Sequence, residues 1–122
     1  MKDETKEWVN MTQDDLAAAQ ILFERDLRGP TVFHCHLAVE KILKAHWIEQ
    51  NQAGQPPRTH DLIELLKGTN LDIPQWHEFL GILSDQAVVS RYSRPGSYPR
   101  ELVSEYLEGA KQLCELLQQQ LN

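Results

Sequence analysis

The sequence predicts an all-α fold, an up-down antiparallel four-helix bundle with an additional short helix. Apolar residues recur at intervals of three, four and seven, which is the spacing of one helix face. No stretch of useful length alternates apolar and polar residues as a half-buried strand would. Short breaker segments divide the helices and favour antiparallel neighbours: Arg28–Pro30, Asn51–Pro57, Gly68–Pro74 and Ser93–Pro99. We therefore expect one helical domain over residues 1–122.

The first helix is predicted to run to about Leu27. Thr12 with Asp15 either caps a helix at that point or lies inside a longer helix that begins near Glu4. The second helix, Thr31 to about Gln50, is apolar on more than one side and is expected to be the most buried of the bundle.

The remaining polar stripe of the second helix contains Glu40, Lys41 and Lys44. Glu40 and Lys44 have the favourable order for an i,i+4 ion pair.

Three further helices complete the prediction. A short third helix spans Thr59–Lys67, with Thr59 as a plausible N-cap and Gly68 as the stop signal. The fourth is expected over about Gln75–Ser90, and the fifth, with a near-heptad apolar stripe, over Arg100–Leu121.

The overall charge is acidic, with a formal net charge of -6 at pH 7. This argues against tight nonspecific binding of nucleic acid by the whole surface, although a local basic site is compatible with it. Cys35 and Cys114 lie in apolar helical patterns and are expected to be buried thiols, which suggests the cytoplasm. The first ten residues are too polar for a signal peptide, and no apolar run approaches a membrane span.

The chemically conspicuous stretch is the acid-free loop Arg91–Arg100. The segment 86–100 has three arginines and no acidic residue in a chain that has 18 of them. Arginine matches phosphate oxygens with a planar fork, and tyrosine rings can stack on bases. The candidate nucleotide- or anion-binding residues here are Arg91, Tyr92 and Arg94. In the alternative interpretation, these arginines pair with acids such as Glu101 or Glu105, or are simply solvated.

Loop order places Arg28, His34 and His36 at the same end of the bundle as Arg91, Arg94 and Arg100. A second candidate segment is Arg58-Thr59-His60-Asp61, because His60 can exchange a proton near neutral pH. Helix capping is the competing interpretation of that segment. Simple up-down topology puts it at the end of the bundle opposite Arg91, so Arg58 and His60 are secondary candidates.

We expect no metal and no cofactor. His34 and His36 diverge by about 200° around a helix, so they cannot chelate one ion together. His36 and Glu40 have usable spacing but lack an evident third ligand. His46 and His77 are expected at helix surfaces.

Four phrases in order resemble the HEPN domain family (higher eukaryotes and prokaryotes nucleotide-binding). They are Asp14–Ala19, His36–Ala45, Arg58–Leu62 and Arg91-Tyr92. The resemblance implies a helical bundle, usually a homodimer in prokaryotic cytoplasm, often paired with a minimal nucleotidyltransferase in a toxin–antitoxin-like system. Many members are metal-independent ribonucleases with an Arg followed four to six residues later by His near a late helix. Here no histidine follows Arg91, Arg94 or Arg100.

The sequence therefore predicts a nucleotide- or RNA-associated binding module without catalytic residues, acting as a dimer with a minimal nucleotidyltransferase. One alternative is a metal-independent endoribonuclease toxin. The other is a purely structural helical interaction protein.

Overall fold

Five α-helices form the fold within residues 1–51, 53–94 and 96–122, which the computed structural model describes. They are α1 (Asp3–Glu24), α2 (Arg28–Gln50), α3 (Leu62–Lys67), α4 (His77–Val89) and α5 (Arg100–Gln119). One-turn 3₁₀ helices, Pro74–Trp76 and Ser90–Tyr92, lie on either side of α4. The predicted all-α bundle with one short extra helix is confirmed. Gln52 and Pro95, which belong to predicted breakers, lie outside the described residues, and so does the part of the Arg91–Arg100 loop that Pro95 forms.

Helix α2 is the centre of the bundle and packs against all four other helices. Its apolar side chains are buried on several sides, as predicted: Val32, Cys35, Ala38, Val39, Ile42, Leu43, Ala45 and Ile48. Little of the surface of this helix is therefore exposed to solvent. Charged residues that are buried on it need partners, because an unpaired buried charge is costly.

The first helix takes the longer of its two predicted forms, whereas the second helix begins earlier than predicted. Helix α1 starts at Asp3, so Thr12 lies inside a longer helix and its hydroxyl donates to the carbonyl of Trp8 at 3.0 Å. Helix α2 starts at Arg28, and its predicted start at Thr31 is wrong by three residues. Pro30 falls in the first turn, where its missing N–H costs nothing.

Helix α3 begins at Leu62, and the predicted N-cap Thr59 is wrong. Asp61 is the N-cap, since its carboxylate accepts from the backbone N–H of Ile63 at 3.0 Å and of Glu64 at 3.3 Å. The hydroxyl of Thr59 accepts instead from the N–H of Asp61. An aspartate gives a better cap here because its charge also faces the positive end of the helix dipole.

The core contains a buried histidine and two buried cysteines as well as apolar side chains. The expectation that His46 lies at the surface is wrong: it is buried, and its Nε2–H donates to the carbonyl of Leu117 at 2.7 Å. His77 is exposed. Cys35 and Cys114 are buried free thiols, and burial raises the pKa of both, that of Cys35 to about 12. Neither is suited to thiolate chemistry.

Helix α4 and the turn after it keep large apolar side chains exposed, namely Ile82, Val88, Val89 and Tyr92. Across the part of the chain that the structure describes, no helix combines the length and apolarity needed to cross a membrane.

Candidate functional site

The 3₁₀ turn Ser90–Tyr92 is held against the first turn of α2. The contact is so close that a Cβ on Gly29 would overlap Ser93 Oγ and lie 2.7 Å from the carbonyl oxygen of Ser90. Ser93 reinforces the turn by donating its hydroxyl to the same carbonyl at 3.1 Å. The position of Arg91 is thus fixed by backbone packing at Gly29.

The guanidinium of Arg91 lies over the ring of Phe33, 4.7 Å from its centroid. Within the described residues, no carboxylate comes within ion-pair distance of it. Stacking on an aromatic face leaves the N–H donors at the guanidinium edge free for a ligand. The guanidinium edge of Arg91 is therefore available to a ligand.

The neighbouring arginines are used differently. Arg28 and Arg100 each donate to Asp26 Oδ1 at 2.9 Å, and the hydrogen bond from Arg28 lowers the pKa of Asp26. These two arginines do pair with an acid, although not with Glu101 or Glu105. They tie the α1–α2 turn to the start of α5.

His34 is a neighbour of Arg91, and its ring is bound by the buried carboxylate of Asp15. Its Nδ1 is 2.9 Å from Asp15 Oδ1, and the other oxygen of Asp15 accepts from Lys41 Nζ at 2.6 Å. Asp15 is buried, whereas His34 is one-third exposed. The ring therefore has one nitrogen committed to the protein and Nε2 available to a ligand.

A second histidine, His60, is anchored in the same way from another side of α2. Its Nδ1 is 2.6 Å from Glu40 Oε1, and Glu40 Oε2 accepts from Lys44 Nζ at 3.1 Å, which is the predicted i,i+4 pair. Glu40 is 4% exposed, whereas the side chain of His60 is 61% exposed. A buried carboxylate on Nδ1 orients the ring and presents Nε2 to solvent.

His36 connects this pair to the backbone of the α2–α3 connector. It is buried, and its Nε2–H donates to the carbonyl of His60 at 2.8 Å. Burial lowers its pKa, and the charge of Arg91 acts in the same direction. His36 is therefore a structural histidine whose hydrogen bond to the carbonyl of His60 helps to hold the connector against α2.

The expectation that His60 and Arg91 lie at opposite ends of the bundle is wrong. Both pack on α2, Arg91 at Phe33 and His60 at Glu40, which are about 10 Å apart along the axis. The connector after Gln50 can reach about 35 Å when extended, which is long enough for His60 to lie beside the middle of α2 before α3 begins. Up-down reasoning assumed that α3 starts where α2 ends.

The other predicted site residues are not gathered in this way. Arg58 and Tyr92 are exposed, Tyr92 to 78%. Arg94 is exposed and borders a different cleft, next to Asp26 and Arg28. In the described part of the chain, none of the three makes a hydrogen bond, ion pair or cation–π contact with the side chain of Arg91 or His60.

The observed centre of the site is a cleft of about 320 Å³ beside the first turns of α2, which we call the Arg91 cleft. It is lined by Pro30, Phe33, His34, Ser90, Arg91 and Ser93. Its donors suit an oxyanion. Among residues 1–51, 53–94 and 96–122, no three His, Cys, Asp or Glu side chains are grouped as metal ligands.

Comparison with known proteins identifies the family. The model of the HEPN domain matches residues 5–120, essentially the whole chain. The chain belongs to the HEPN domain family. Its fold is similar to the crystal structure of TT1696 from Thermus thermophilus, with a TM-score of 0.85 and 20% identity over 97% of this chain and 98% of that one. A search of curated proteins found no match.

In this HEPN domain, sequence reasoning missed the residues that support the site. Glu40 was considered for an ion pair and for a metal site, and Asp15 for a helix cap, but neither was expected to bind a histidine side chain from another segment. Phe33 was not singled out, and Ser90 was expected only as the end of a helix. One signal was available: charged residues on the most buried helix require partners, and both buried carboxylates hold a histidine and a lysine.

Proposed function

We propose that this HEPN domain is a nucleotide- or RNA-associated binding module whose anion contact is Arg91. The observation that carries the proposal is the Arg91 guanidinium, stacked on Phe33 with no carboxylate partner among the described residues. An arginine held in this way loses little side-chain entropy when it binds phosphate. Membership in the family supports the same class of ligand.

The test is equilibrium binding of ATP, GTP and a short single-stranded RNA to wild type and Arg91→Ala. Loss of a charge-assisted hydrogen bond is worth about 1.5–3 kcal/mol, so we expect affinity to fall about tenfold or more. Lys6→Ala is the matched control, because it removes one positive charge from the exposed start of α1. Equal affinity of wild type and Arg91→Ala would rule out this role.

We propose that the chain acts as a homodimer through α4. Ile82 and Val89 share one face of that helix, and Val88 and Tyr92 extend the exposed apolar area. Single exposed apolar residues are ordinary, whereas a group on one short helix is typical of an interface. Val89→Asp should shift the mass measured by light scattering from dimer to monomer. Ile21→Asp, at an equally exposed site on α1, should not.

A minimal nucleotidyltransferase is the proposed protein partner, in a toxin–antitoxin-like pair. The net charge of -6 would help to steer a basic partner surface. The test is co-expression with the product of the adjacent gene. Elution of a stoichiometric complex with a nucleotidyltransferase supports the pairing, and an adjacent gene of another class contradicts it.

A second candidate function, an endoribonuclease, is favoured by one observation: the exposed His60 whose Nδ1 is bound to buried Glu40. His60 Nε2 would take the proton of a ribose 2′-hydroxyl while the 2′-oxygen attacks phosphorus. The P–O5′ bond then breaks, the 5′-oxygen takes a proton from a water molecule that the His60 imidazolium reprotonates, and a 2′,3′-cyclic phosphate remains. Arg91 would stabilise the negative charge that develops on the phosphate oxygens.

The measurement is cleavage of short RNA by wild type, His60→Gln and Arg91→Ala. A 2′-deoxy substrate, which lacks the attacking hydroxyl, is the negative control. Cleavage that needs both His60 and the 2′-hydroxyl supports an enzyme. RNA binding without cleavage supports the binding module. Absence of both leaves a purely structural helical protein.

A further inference from the structure

The Arg91 cleft contains a buried hydroxyl with no partner. Ser90 is 2% exposed, and its Oγ makes no hydrogen bond within the described residues. Buried hydroxyls are nearly always bonded, and leaving one unsatisfied costs about 1–3 kcal/mol. Other serines nearby are satisfied: Ser93 donates to the carbonyl of Ser90, and Ser97 to that of Arg94. Because Ser90 lines the cleft, its unpaired hydroxyl is a candidate for a hydrogen bond to a ligand.

Three donors border this cleft. The edge of the Arg91 guanidinium offers two parallel N–H groups, and Ser90, which also lines the cleft, offers one hydroxyl. His34 lines the cleft as well, with its Nδ1 already bound to Asp15. These three donors suit a ligand with three terminal oxygen acceptors and more than one negative charge.

We propose that the Arg91 cleft is a subsite for a phosphate monoester, the terminal phosphate of a nucleotide or oligonucleotide. A monoester carries about -1.5 to -2 charges at pH 7 and three acceptor oxygens. An internal phosphodiester has one charge and two non-bridging oxygens, so it leaves one donor unmatched. This inference rests on the proposed binding function and adds to it the class of group that is recognised.

The dimensions of the cleft agree with this assignment. Its volume of about 320 Å³ is at the lower end of the range of small-molecule sites. The close packing at Gly29 keeps Ser90 and Arg91 in a fixed relation to α2, which is the preorganisation that anion recognition needs.

The experiment compares the affinity of the full chain for 5′-phosphorylated, 3′-phosphorylated and unphosphorylated forms of one short RNA. Adenosine monophosphate, adenosine and inorganic phosphate are measured alongside. We expect a terminal phosphate to increase affinity tenfold or more. Inorganic phosphate that binds as tightly as adenosine monophosphate would assign the subsite to the free ion rather than to a nucleotide.

Ser90→Ala is the decisive variant. It removes an unsatisfied hydroxyl, so the ligand-free protein should be at least as resistant to urea as wild type. The same variant should lose most of the preference for a terminal phosphate while binding unphosphorylated RNA normally. Ser104→Ala, on the exposed face of α5, should change neither property.

The outcomes separate this inference from the proposed function. If Arg91→Ala weakens binding but terminal phosphate and Ser90→Ala have no effect, the binding module stands and the monoester subsite is overturned. If no ligand binds at all, both are overturned.

Discussion

Gly29 is the residue on which the geometry of the Arg91 cleft most depends. It has no room for a side chain because the carbonyl of Ser90 and the hydroxyl of Ser93 occupy the space that a Cβ would take. Backbone cannot move aside as cheaply as the end of a flexible side chain. A single methyl group at this position would therefore displace the 3₁₀ turn that carries Arg91.

We predict that Gly29→Ala lowers the free energy of unfolding by about 1–3 kcal/mol, the usual cost of overpacking. It should also weaken nucleotide or RNA binding, although Gly29 itself contributes no side chain to the cleft. Urea denaturation and binding titrations measure the two effects.

Gly81→Ala is the matched control. Its Cβ would meet nothing within 4 Å, and α4 should gain about 0.5–1 kcal/mol from alanine in a helix interior. If Gly29→Ala were as stable as wild type and bound ligand normally, the tight packing at the turn would be contradicted.

At the scale of elements, the six-residue helix α3 positions the backbone at His60. It follows directly after His60 and is tied to α4 by the N–H of Leu62, which donates to Ser84 Oγ at 2.9 Å. So short a helix has little intrinsic stability, so its cap and its packing decide whether it forms. Its start in turn determines where the His60 backbone lies against His36.

We predict that Asp61→Ala lowers the free energy of unfolding by about 1 kcal/mol, because two backbone N–H groups lose their acceptor. Amide exchange should increase in α3 more than in α5. Asp72→Ala, at an exposed loop position, serves as the control for removing one negative charge. Unchanged exchange in α3 would show that the cap is not what holds this helix.

At the scale of the whole molecule, two buried histidines couple stability to pH. Burial lowers the pKa of both His36 and His46 below the ordinary value of 6.5. The unfolded chain therefore takes up protons at a higher pH than the folded chain does. The stabilising contribution is full above about pH 6.5 and is lost as pH falls from there towards the folded-state pKa values.

We predict that the free energy of unfolding declines below about pH 6.5, with each histidine contributing a slope of up to about 1.4 kcal/mol per pH unit. Urea denaturation at pH 7.5, 6.5 and 5.5 measures the slope. His46→Gln, whose amide can still donate to the Leu117 carbonyl, should remove part of it. His77→Gln, an exposed site, should leave it unchanged. A wild-type slope retained in His46→Gln would contradict the assignment.

The helices were within reach of sequence reasoning because their causes are local. Apolar spacing identified α1, α2, α4 and α5, and the breadth of the apolar surface identified α2 as the central helix. Errors fell at the ends of helices, at Thr31 and Thr59, where cap geometry depends on how the neighbouring chain arrives. The burial of His46 was missed because its partner, the Leu117 carbonyl, is distant in sequence.

By itself, the sequence determined the bundle, its central helix and the family, and it made Arg91 a candidate binding residue. Only the tertiary structure decided that His60 lies on α2, that Asp15 and Glu40 each hold a histidine, and that Ser90 lines the cleft with a hydroxyl that has no partner among the described residues. The physical reason is the range of the interactions. Helix periodicity and charge composition are encoded in neighbouring residues, whereas the path of the connector and the packing at Gly29 follow from contacts between segments far apart in the chain.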